Sequence, residues 1–64
     1  MREQRIIEPD TERFGLIITE SEDVFTLTAF EEDGTVVNSM SFLYEELPVL
    51  LKGLLEVAVN VERD

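Results

Sequence analysis

Residues 24–42, VFTLTAFEEDGTVVNSMSF, hold two alternating runs around one turn, and their reading decides the fold. In Val24–Phe30, Phe25, Leu27 and Ala29 fall on one face of a strand, and Val24, Thr26, Thr28 and Phe30 on the other. Glu31, Glu32, Asp33 and Gly34 follow, ending in an Asp-Gly pair suited to the positive φ of a hairpin turn. From Thr35 to Phe42, Val36, Asn38, Met40 and Phe42 alternate with Val37, Ser39 and Ser41. The more apolar face of that strand is expected to carry Val36, Met40 and Phe42, and Asn38 on it needs a polar partner.

Toward the N-terminus, Phe14–Thr19 is a further β-rich run, joined to the hairpin by Glu20, Ser21, Glu22 and Asp23. A link this short makes the pair antiparallel. Arg2–Ile7 reads as a short edge strand, ended by Pro9 and the polar link Asp10–Arg13. Gly15, with no side chain to pack, marks a bulge or a close backbone crossing.

Toward the C-terminus, Leu43, Leu47, Leu50, Leu51, Leu54, Ala58 and Val61 recur at spacings of three and four, the stripe of an amphipathic helix running to about Asn60. Pro48 fits such a helix in its first turn. Leu55, Val57 and Val59 lie outside the stripe, giving more apolar surface than one small sheet covers. A competing reading takes Leu55, Val57, Val59 and Val61 as a strand alternating with Glu56, Ala58, Asn60 and Glu62, after a shorter helix capped by Gly53. The fold class expected is α+β: a three- or four-stranded antiparallel meander followed by one C-terminal helix packed on the sheet, with a short terminal strand as the alternative, all in a single domain, 1–64.

Size and charge narrow the function. A chain of 64 residues buries only about 60% of the surface its unfolded form exposes, so it needs an added source of stability. It contains no Cys and no His, which excludes disulfides and removes the commonest metal ligands. Self-association remains, and Leu51, Leu55, Val57 and Val59 are the expected dimer contact. The same inventory lacks the usual base and the better nucleophile of covalent catalysis, so no enzyme, no cofactor and no metal site is expected. The acidic runs lack the spacing of a calcium loop, and there is no glycine-rich phosphate loop. Arg2, Glu3, Arg5 and Glu8 exclude a secretory leader from the first ten residues, which points to the cytoplasm.

Fifteen Asp and Glu against five Lys and Arg give a net charge of -10, which repels nucleic acid and attracts basic protein surfaces. Such charge also serves solubility alone. In a meander, alternate connections share an end of the sheet. Glu20, Glu22 and Asp23 therefore join Glu45 and Glu46 in one acidic rim, the expected partner-binding site. Glu31, Glu32 and Asp33 form a second acidic end, together with Glu8, Asp10 and Glu12 if the first strand forms. Spaced carboxylates of this kind imitate a phosphate backbone to a DNA-binding protein.

Phe25 and Leu27, the turn ending in Asp33-Gly34, then Ser39-Met40-Ser41-Phe42 and the helix through Glu45, Glu46, Leu47, Val49, Leu50, Leu51 and Lys52 resemble the C-terminal half of the Whirly-like transcriptional coactivators. That resemblance covers about half of the chain and implies a dimer that binds single-stranded DNA. The chain departs from the family in its strong acidity and in Thr26, Thr28 and Ser39 where basic and aromatic residues would face DNA. In outline it is also similar to the small acidic phage inhibitors of uracil-DNA glycosylase, which are DNA mimics. The leading expectation is an acidic, non-catalytic regulator that binds a basic protein. The alternatives are a single-strand nucleic-acid-binding module, which needs Phe14, Phe25, Phe30 or Tyr44 exposed for stacking, and a structural self-assembly subunit.

Overall fold

The computed structural model describes residues 1–63. Four strands, β1 (Arg2–Ile7), β2 (Gly15–Glu20), β3 (Val24–Phe30) and β4 (Val36–Leu43), form one antiparallel meander in chain order. A 3-10 turn at Tyr44–Glu46 leads into one helix, α1 (Leu47–Arg63). This is the expected α+β class, with the first strand formed and the sheet four-stranded.

The register sorts the side chains into two unlike faces. On one, Gln4, Ile18, Leu27 and Met40 make a cross-strand row, flanked by Leu16 beside Ala29 and by Phe25 beside Phe42. The other carries hydroxyls: Thr26 Oγ1 and Ser41 Oγ lie 2.8 Å apart, and Thr28 Oγ1 and Ser39 Oγ 3.4 Å. A shift in register between Ala29 and Phe30 pairs Phe30 with Val36. Val36 therefore borders a hollow with Arg5, Ile17, Thr28 and Phe30, and the expectation that it shares a face with Met40 and Phe42 is corrected. Asn38 finds its partner locally, its Oδ1 accepting the Ser39 N–H at 2.8 Å.

Two small clusters hold the sheet. Phe25 is buried, stacked on Phe42 at 5.4 Å between ring centroids and tilted against Tyr44 at 5.7 Å. Phe30 is buried across Gly15, with the Arg5 guanidinium 4.9 Å from its centroid. A Cβ on Gly15 would stand 2.5 Å from Phe30 Cζ and 2.8 Å from Pro9 Cδ. Gly15 is required by a ring and a proline, not by a bulge or a backbone crossing; it pairs in register with Phe30.

The helix differs from expectation in where it lies. It begins as Pro48 requires, in the first turn, with Leu47 N–H bonded to the Tyr44 carbonyl and the Glu46 carboxylate accepting Leu43 N–H at 2.9 Å. It runs unbroken through Gly53, so the terminal strand over 55–62 does not form: those residues have no neighbouring strand, and Gly53 does not adopt the positive φ of a cap. Only Leu47 and Leu50 are half-buried, and every residue from Leu51 to Glu62 is exposed. The helix packed on the sheet is thus corrected to a helix that leaves it. Its exit is set by the 3-10 turn, which Tyr44 pins to Phe25 and to the Ser21 carbonyl.

Candidate functional site

The connections gather the carboxylates at the two ends of the sheet. At the α1 end, the β2–β3 link closes through Ser21 N–H and Ser21 Oγ, both bonded to the Val24 carbonyl at 2.9 and 2.8 Å. Tyr44 Oη donates to Ser21 O at 2.6 Å, so the turn bearing Glu22 and Asp23 is tied to the segment bearing Glu45 and Glu46. All five expected rim residues lie at this end. Two of them have local tasks: Glu20 pairs with Arg2 at 3.5 Å, and Glu46 caps Leu43. Glu22, Asp23 and Glu45 have no ion pair among the described residues.

At the opposite end the acids are closer-knit. Gly34, at φ 95°, donates to Glu31 O at 2.9 Å, and Glu31 N–H bonds Thr35 O at 2.8 Å, closing the hairpin. Asp33 Oδ1 accepts Thr35 N–H at 2.9 Å. That backbone donor, with the Thr35 side chain, holds the Asp33 carboxyl below the ordinary aspartate value. Across from it, Asp10 Oδ1 accepts the N–H groups of Glu12 and Arg13 at 2.8 and 3.1 Å, an Asx turn. Arg13 Nε donates to Glu8 O at 3.0 Å and lies 3.6 Å from Asp10 Oδ2.

The two turns border one open hollow of about 500 Å³, lined by Asp10, Glu12, Glu31, Glu32 and Asp33 with Thr11, Arg13 and Phe14. The second acidic end therefore joins Asp10 and Glu12, as the topology required once β1 formed, while Glu8 borders the neighbouring hollow with Arg5 and Pro9 instead. Sequence reasoning named Phe14 as a stacking candidate but did not place it at this acidic end. It was read as the first residue of its strand, but the ladder starts at Gly15 and the Phe14 ring is 53% exposed. No pattern of residue types sets Phe14 apart from the strand that follows it.

Of the four aromatics that base stacking would call on, Phe25 and Phe30 are 4% and 5% exposed, which leaves Phe14 and Tyr44, the latter with its hydroxyl bonded to Ser21 O. The expected dimer contacts Leu51, Leu55, Val57 and Val59 are all exposed along α1. Among the described residues no group of three or more acidic side chains is placed to hold a metal ion, and no helix is long and apolar enough to cross a membrane. The chain matches no protein-family model, no curated protein and no solved structure.

Proposed function

We propose that this chain is an acidic, non-catalytic regulator that binds a basic protein, works as a homodimer in the cytoplasm, and presents its carboxylates in place of a nucleic-acid backbone. The observation that carries the reading is the open hollow lined by five carboxylates, one arginine and the exposed Phe14 ring. Carboxylates attract an arginine or lysine of the partner, and an aromatic face adds a cation–π contact to it. Complementary charge also speeds encounter and makes it sensitive to salt. The rim at Glu22, Asp23 and Glu45 offers a second set of carboxylates to the same partner. Burial of Phe25 and Phe30 leaves the Whirly-like reading, in which the sheet binds single-stranded DNA, two of its four rings, Phe14 and Tyr44.

The test is a pull-down from host lysate at low and high salt, with nuclease-treated lysate in parallel and the Glu31→Gln/Glu32→Gln variant as control. Recovery of basic DNA-binding proteins that survives nuclease, fades in high salt and drops with the variant supports the reading. Recovery of nucleic acid overturns it in favour of the single-strand-binding module. A second reading, a structural subunit whose specific contact is with itself, is favoured by the exposed apolar stripe of α1; beads that retain only this chain support that one.

A further inference from the structure

The single chain leaves two apolar surfaces facing water. One is the sheet face, where Ile18 and Leu27 are half-buried and Met40 is 56% exposed; the other is α1, where Leu51 and Leu54 are each 57% exposed. The accessible surface is 5323 Å², against about 4,200 Å² for a compact monomer of 7.3 kDa. The radius of gyration is 13.4 Å, where about 10.7 Å is ordinary for this length. An excess of about 1,100 Å² per chain makes roughly 2,200 Å² for two, the size of an obligate dimer interface. A 17-residue helix with four valines also does not hold itself in water without a surface to lie on.

Charge selects where a second copy can approach. Each copy brings a net charge of -10, so the meeting surfaces must be free of carboxylates. The β1 edge carries Arg2, Glu3 and Arg5 and is broken by a shift in register between Arg5 and Ile7, features that discourage strand addition. The β4 edge has its shift in register only at its start, where Val37 is passed over between Val36 and Asn38; from Asn38 to Leu43 it pairs regularly with β3 and contains no charge, no proline and no outer neighbour. The chain stays uncharged again from Leu47 to Leu51, the first turns of α1.

We propose that two copies of this chain pair antiparallel along β4 into one eight-stranded sheet, and that α1 of each copy lies with Leu51 and Leu54 on the other's sheet face at Ile18, Leu27 and Met40. The inference rests on the self-association reading and gives it a geometry. One pairing then covers the open edge, the bare face and the unsupported helix together, while the acidic ends stay in solvent for a third party.

The experiment uses the absence of native cysteine. Light scattering after size exclusion should give twice the 7.3 kDa chain mass. Met40→Cys protein mixed with Leu54→Cys protein and oxidised should form a covalent heterodimer, and each alone much less. The β4 amides from Val37 to Phe42 should exchange slowly at high protein concentration and faster on dilution. A one-chain mass at all concentrations overturns self-association and this geometry with it. A two-chain mass in which the Met40→Cys/Leu54→Cys double variant closes its disulfide within one chain, or in which β4 amides exchange as an open edge does, overturns the geometry and leaves the dimer.

Discussion

Gly15→Ala tests the packing of the sheet most directly. The added Cβ would lie 2.5 and 2.6 Å from Phe30 Cζ and Cε1 and 2.8 Å from Pro9 Cδ, where carbon atoms normally sit at ~3.5–4.0 Å. Pro9 is rigid, so either the backbone shifts, at about 1–3 kcal/mol, or the Phe30 ring swings out. Expelling the ring forfeits up to ~4 kcal/mol at about 25 cal/mol per Å² over roughly 150 Å². Replacing glycine restores about 0.4–1 kcal/mol by restricting the unfolded chain. A net loss of about 2 kcal/mol follows, a large share of the ~3–10 kcal/mol expected for a chain of this length. In urea, with a slope of about 1 kcal/mol per M, the midpoint should fall by about 2 M at fixed protein concentration. In a Phe30→Leu background, which lacks Cζ and Cε1, the same substitution should cost about half as much, the Pro9 contact remaining. An unchanged or raised midpoint for Gly15→Ala, or an equal cost in both backgrounds, would refute the reasoning.

Tyr44→Phe removes the bond to the Ser21 carbonyl while keeping the ring on Phe25; thermal unfolding should show a loss of about 1 kcal/mol. Gly53→Ala, in mid-helix with nothing within 4 Å of the added Cβ, should gain about 0.5–1 kcal/mol and raise helical circular dichroism, unless the partner copy approaches closely there, in which case the dimer weakens. The Asp33 carboxyl is held low in the fold, so its contribution is complete above the unfolded aspartate value and disappears as pH falls through the lower, folded one. Asp33→Asn should therefore flatten the acid limb of a pH–stability curve, and a carbon-detected titration of Asp33 should give a midpoint below that of a turn peptide.

Much of this fold was legible because strand periodicity is a local property. Alternation alone located β3, and the Asp33-Gly34 pair located the turn that Gly34 closes with positive φ. The edges of the runs were less legible. Phe14 looks like any strand aromatic, and only the start of the ladder at Gly15 leaves its ring outside it. The face of Val36 depended on a shift in register after Ala29, which no pattern of residue types records.

The C-terminal segment was ambiguous for a physical reason. Leu47–Val61 satisfies both periods, three-to-four over its leucines and two over its valines, and a strand needs a neighbour that local sequence does not name. Helical bonds close within the segment, so with no strand alongside it the helix forms.

The acidic ends were readable in advance because a meander fixes which turns share an end, whatever the side chains then do. Their use was not: Glu20 and Glu46 are taken by Arg2 and by the Leu43 amide, and Phe14 joins the opposite group through a surface between two turns. By itself, then, the sequence determined β2, β3 and β4, the presence of a helix after them and the distribution of charge, all of which follow from local periodicity and composition; it left β1 and the state of residues 55–62 open. Only the tertiary structure decided that Phe25 and Phe30 are the buried rings, that Gly15 makes room for one of them, and that α1 leaves its own sheet uncovered. The helix exit depends on the direction in which the chain turns at Tyr44, set by a ring tilted against residue 25 and a hydroxyl bonded to residue 21, and the Gly15 contact on Phe30 reaching it across the sheet, partners that are distant in sequence and meet only in the fold.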